Sequence, residues 1–156
     1  MKQSITKVTG LQVGYTTEWV VLDSGEWRVL TDDEQLLVDV EYTVKELTNT
    51  KSKKQTEIRN SFNAELELPV IINGISYSGG FDSAIKLDAA KRLVEALGAT
   101  EVTFYDVGNV GHILNLVDAQ SVITAIAIDY QTKFGIKQTK MVAVDNATTI
   151  QEVEAV

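Results

Sequence analysis

The sequence has no cysteine, one proline and one histidine. Without a thiol there is no disulfide framework, no thiolate zinc site and no cysteine nucleophile. A single imidazole excludes metal sites built on two or more histidines. No apolar run approaches the roughly 18–20 residues that cross a bilayer. The first residues, Met1 to Lys7, lack the apolar stretch of a secretory leader. Basic residues are also scarce: 14 Lys+Arg stand against 22 Asp+Glu, a net charge of −8. The deficit is even, with 8 basic and 12 acidic groups over residues 1–68 and 6 and 10 over residues 69–156. A nucleic-acid binder needs a basic face to displace counterions, and a membrane-surface helix needs basic flanks. Neither partner, nucleic acid or membrane, is expected.

What remains is 156 residues, 44% hydrophobic, enough for one domain or two very small ones. No internal repeat is visible at a period of 20–50 residues. Residues 10–15, 19–22 and 27–30 read as short strands. Trp19-Val20-Val21-Leu22 and Trp27-Arg28-Val29-Leu30 flank Asp23-Ser24-Gly25-Glu26, a hairpin signal. Residues 31–47 carry two patterns. Thr31 and Glu34 have capping-box spacing, and Leu36, Leu37, Val40, Val44 and Leu47 recur at helical intervals. Yet Val38, Val40, Tyr42 and Val44 alternate with Asp39, Glu41, Thr43 and Lys45, and their β-branched content favours a strand. The balance tips slightly toward strand, which would complete a small β-meander.

The polar stretch 49–60, with Lys51, Lys53 and Lys54, reads as a solvated helix face or linker. A helix over 51–66 would place Lys54, Ile58, Phe62 and Leu66 on one side and end before Pro69. Asn73-Gly74 between apolar runs predicts a type I′ hairpin. A helix over 83–97 follows, capped by Ser83, with Ile85, Ala89, Leu93 and Ala96 on its inner face and Gly98 past its end. Residues 102–105 and 112–116 bracket a second glycine-containing hairpin. From Asp118 a long helix runs to about Val144 with Ile123, Ile126, Tyr130, Phe134 and Met141 in one stripe, and Gly135 is a place for it to kink. Thr149 and Glu152 form a last capping box. This order predicts an α+β fold with antiparallel pairing: a small β module over 1–47, then a helix-hairpin-helix-hairpin-long helix domain over 51–156.

Each candidate site has a structural reading beside it. Ser78-Gly79-Gly80-Phe81-Asp82-Ser83 is similar to the S-G-G-x-D-S signature of PP-loop ATP pyrophosphatases, whose backbone amides cradle pyrophosphate at a helix start. The Asn-Gly turn just before it, the 73 residues after it and the lack of a downstream basic cluster favour a Gly-rich loop leading into a helix. Asp32, Asp33 and Glu34 lack a calcium-loop ladder and read as helix-start acids. Asp106 and Asp145 read as turn acids. His112 has no G-x-S-x-G partner and reads as a structural histidine at a strand edge. No catalytic, metal or cofactor residue is assigned, and no cofactor is expected. Trp19 and Trp27 read as β packing residues, with partner contact as the functional alternative.

The order of features from residue 51 onward resembles a domain of unknown function found in tail proteins of tailed bacteriophages. The matching segments are Ile71-Ile72-Asn73-Gly74-Ile75-Ser76-Tyr77, Ser83-Ala84-Ile85-Lys86-Leu87, Gly108-Asn109-Val110, Leu116-Val117-Asp118-Ala119-Gln120 and Ala147-Thr148-Thr149-Ile150-Gln151-Glu152-Val153. They span about two thirds of the chain, and the weight lies in their order and spacing. Where that family often has a tryptophan in the middle strand, this chain has Phe104-Tyr105. The resemblance implies a non-enzymatic virion protein of the tail tip, baseplate or fibre attachment region. It would be made in the host cytoplasm and work as a homo-oligomer, a trimer being one symmetric option. A tail-fibre assembly chaperone is the alternative reading, and an ATP-using PP-loop enzyme the remote one.

Overall fold

The computed structural model describes the backbone of residues 5–8, 11–15, 19–23 and 26–156, and the side chains of residues 28–156. The fold is α+β. Two compact units can be distinguished: residues 1–53 with 147–155, and residues 54–146 with 156.

In the first unit, β1 (Ile5–Val8), β2 (Leu11–Tyr15), β3 (Trp19–Asp23) and β4 (Glu26–Val29) form an antiparallel sheet in chain order. The hairpin read from the sequence closes with Asp23 opposite Glu26 and Leu22 opposite Trp27. Residues 32–47 are not a strand. They begin α1 (Asp32–Leu66), a 35-residue helix. The capping box decides it: the Thr31 hydroxyl accepts from the Glu34 amide at 3.3 Å, and the Thr31 amide donates to the Glu34 carboxylate at 2.9 Å. Arg28, in β4, adds a two-pronged bond to Glu34 at 2.7 and 2.8 Å. With its orphan amides satisfied and no Gly or Pro from 32 to 66, the chain propagates helix through its β-branched residues. The other helix of this unit is α4 (Ile150–Glu154), started by the expected Thr149–Glu152 capping box. Leu30, Val38, Ala147 and Val153 are buried here.

The second unit begins with the C-terminal half of α1. Pro69 sits three residues past the end of α1, as expected. β5 (Val70–Ile72) and β6 (Ile75–Tyr77) form a hairpin whose turn residues, Asn73 and Gly74, have φ of 52° and 80°. Both central angles are positive, as a type I′ turn requires. α2 (Phe81–Ala96) then leads to β7 (Glu101–Tyr105), β8 (Gly111–Asn115) and α3 (Leu116–Asn146). β7 and β8 pair antiparallel, with Thr103 opposite Ile113. α3 runs unbroken through Gly135, where a kink was an option.

The core of this unit joins α3, β6, β7 and α2. Ala119, Val122, Ile123 and Ile126 of α3 meet Tyr77, Ala84, Val102 and Phe104. The α3 stripe follows the sequence reading. The α2 stripe does not. Ile85 and Leu93 are 50% and 62% exposed, and Ala89 and Ala96 are also exposed. The inner face carries Ala84, Leu87, Ala90 and Val94 instead. α2 has two apolar stripes, and periodicity alone could not rank them. The one with two alanines allows close approach to α3.

Candidate functional site

Two places combine chemistry with position. The first is the loop between β7 and β8. Asp106 organises it from within: its Oδ1 accepts from the amides of Gly108 at 2.8 Å and Val110 at 2.9 Å. The Asp106 amide donates to the Val110 carbonyl at 3.0 Å, and Asn109 takes the left-handed conformation with φ 62°. The other carboxylate oxygen lies 3.0 Å from His112 Nε2. The His112 hydrogen bond first, and then the Val110 amide, hold the Asp106 carboxyl below its ordinary range. The His112 ring meets Tyr77 edge to face at 6.2 Å between centroids. Tyr77 is only 1% exposed. Its hydroxyl finds no hydrogen-bond partner among the described residues. Burial pushes the phenol above its usual value, and the Asp106 charge adds to that. The loop is tied to the first hairpin, since the Val107 amide donates to the Ser76 carbonyl at 2.9 Å.

Asp106, His112 and Tyr77 include two members of a proton-relay set, but their bonds are spent on the turn. Asp106 saturates two amides and an imidazole and aims no lone pair at a cleft. Asp106 is a turn acid, as expected. Asp145 is not: it lies in the last turn of α3 and accepts from Gln55 Nε2 at 2.6 Å. Among the described residues, no group of three His, Cys, Asp or Glu is placed to hold a metal. Asp32, Asp33 and Glu34 occupy the first turn of α1. The Arg28 and Thr31 bonds draw Glu34 down to about 2.

The Ser78–Ser83 segment has a structural cause for its glycines. A Cβ on Gly79 would lie 2.6 Å from the Leu68 carbonyl oxygen and 3.1 Å from that of Leu66. Gly80 has φ 84° and stands at the N-cap of α2 without a side-chain cap bond. The helix therefore starts two residues before Ser83, and Ser83 is not its cap. The loop is Gly-rich because its backbone runs against the carbonyl end of α1. Those carbonyls present negative poles, the opposite of what a phosphate cradle offers.

The second place is the exposed apolar surface. On α1, Leu36, Leu37, Val40 and Val44 are 50–64% exposed. On the second unit, Leu93 and Leu97 of the α2 end, and Ile113 and Val117 around β8, are also bare. A groove between α1 and α3, lined by Ile58, Phe62 and Ile136 with Lys133, Lys137 and Lys140, encloses about 20 Å³. That admits one water and no organic ligand. Its rim is built for structure. Lys133 Nζ donates to the Glu65 carbonyl at 3.0 Å near the end of α1, and Lys137 lies 4.7 Å over the Phe62 ring.

Trp19 begins β3 opposite Tyr15, and Trp27 lies in β4. Their side chains, and with them the expected partner contact, lie outside the described residues. The apolar face of α1 was spelled out in its periodicity, but the strand reading hid it. The Asp106–His112 pair carried no sequence signal, because a six-residue separation acquires meaning only once a hairpin closes. Among the described residues, no helix is long and apolar enough to cross a membrane. No protein-family model matches the chain, and neither a curated protein nor a solved structure does.

Proposed function

We propose that this chain is a non-enzymatic structural protein of a tailed-bacteriophage virion, from the tail tip, baseplate or fibre attachment region. One observation carries the assembly part of that reading. Large apolar side chains stand exposed on regular, well-formed elements, while the polar groups are consumed in caps and turns. Exposed apolar patches on ordered elements are the usual mark of a protein partner. The tail assignment draws on the order of sequence features from residue 51 onward. Mass spectrometry of purified particles tests it. A stoichiometric virion component is the expected result. A chain found in infected cells bound to a fibre protein, but missing from particles, would identify an assembly chaperone instead. A monodisperse monomer that co-purifies with no tail component would overturn both. ATP titration by calorimetry should give no heat, and Asp82→Ala should leave that result unchanged.

A further inference from the structure

From the N-terminal half of α1, we infer that the chain self-associates by packing this helix antiparallel against the same helix of a second copy. The inference deepens the assembly reading above and rests on it only for the idea that the chain works in an assembly. Successive helical residues are turned by about 100°, so Leu36, Leu37, Val40, Val44 and Leu47 fall within about 100° of arc. Leu37, Val40, Val44 and Leu47 also keep the 3-4-3 spacing of a two-helix seam. Leu36, Leu37, Val40 and Val44 are 64%, 50%, 55% and 59% exposed. Val38, on the opposite side of the same turns, is 1% exposed. The helix is thus packed on one side and bare on the other. Thr43, Thr48 and Thr50, beside the stripe, each donate to the backbone carbonyl four residues back.

The charges at the ends of the stripe say what covers it. Asp33 continues the seam four residues before Leu37, and Lys51 continues it four residues after Leu47. The pattern is complementary to its own reverse about residue 42. In an antiparallel pair, Leu37 meets Leu47, Val40 meets Val44, and Asp33 meets Lys51, each twice by the two-fold symmetry. In a parallel pair or trimer, Asp33 faces Asp33 and Lys51 faces Lys51, so like charges close both ends of the seam. Opposed macrodipoles favour the antiparallel arrangement as well. The occupant is therefore a second copy, and the closed assembly is an isologous dimer.

The chain has no cysteine of its own, so single cysteines report the register cleanly. Full-length Leu37→Cys and Leu47→Cys are to be oxidised mildly, separately and mixed. The mixture should give a linked species of twice 17.1 kDa, and neither variant alone should. In the antiparallel pair the two copies of position 37 lie about 15 Å apart along the axis, beyond disulfide reach. Light scattering on the native chain over a concentration series should show the doubled mass, and Val40→Lys should return it to 17.1 kDa with an unchanged helical spectrum. Asp33→Lys should weaken the dimer at least several-fold, and adding Lys51→Asp should restore it. A 37–37 link indicating a parallel bundle, a native mass of 17.1 kDa at every concentration, or a Val40→Lys chain that stays dimeric would overturn the inference. Particle mass spectrometry fails or succeeds independently of these results, so the two proposals can be told apart.

Discussion

The two halves of α1 belong to one helix and have opposite fates. From residue 54 onward, Ile58 and Phe62 are buried at 7% and 8% exposure, and Phe62 meets Tyr130 and Phe134 at centroid distances near 6 Å. Between residues 36 and 47 the same type of apolar stripe stands half to two-thirds exposed. Helix formation is therefore not what distinguishes them; the availability of a partner is. The contrast shows that amphipathic spacing says a face wants burial without saying where the burial comes from. It also separates residues that hold this fold together from residues kept for something else.

That contrast can be broken by substitution. The largest expected effect is Phe104→Ala, at 1% exposure in the core, which should cost about 3–5 kcal/mol in denaturant unfolding. An effect under about 1 kcal/mol would mean the second unit has no tight core. Gly79→Ala should follow, at about 1–3 kcal/mol, because its Cβ meets backbone oxygen 2.6 Å away and backbone cannot swing aside. Thr149→Ala removes a capping bond and should cost about 1 kcal/mol. Val44→Ala, on the bare stripe, should change the unfolding free energy of dilute protein by less than about 0.5 kcal/mol. A loss comparable to that of Phe104→Ala would show that the stripe is covered within the chain. Tyr77→Phe deletes a buried hydroxyl that has no partner and should be neutral or slightly stabilising.

Acid sharpens the comparison from another side. Glu34 is drawn down to about 2, first by Arg28, and Asp106 and Glu152 are lowered by His112 and by the Thr148 amide respectively. Each carboxylate has a folded value below its unfolded one. Its contribution is therefore fully present above the unfolded carboxylate range, near pH 4, and is lost as pH falls through the folded value. Circular dichroism from pH 5 to pH 2 should show stability flat at first and then declining. Glu34→Gln should shift the loss of α1 helicity, while Asp106→Asn should act on amide exchange of Gly108 and Val110 alone.

Much of the fold was legible where the signal is local. Asn73-Gly74, the Thr149 capping box, the Gly98 turn at φ 74° and the alternation of β7 depend on neighbours within four residues, and each is realised. Residues 31–47 misled because β-branched alternation and a helical stripe coexist there. The deciding groups were Thr31, Glu34 and Arg28, and Arg28 reaches Glu34 from outside the helix. The α2 stripe misled for a similar reason: Ile85 and Leu93 are the more apolar choice, yet the close approach of helices selects the smaller Ala84 and Ala90. The glycines before α2 matched a phosphate signature by composition, while their cause lies in the carbonyls of Leu66 and Leu68.

By itself, then, the sequence determined the α+β class, the hairpins, the helix caps and the exclusion of thiol and multi-histidine chemistry, because these follow from residue type and short spacing. Only the tertiary structure decided which of two apolar faces is buried on α2, that α1 is one helix bare along its first half, and that Asp106, His112 and Tyr77 meet. Burial depends on the shape and position of the opposing surface, and that information is distributed over the whole chain.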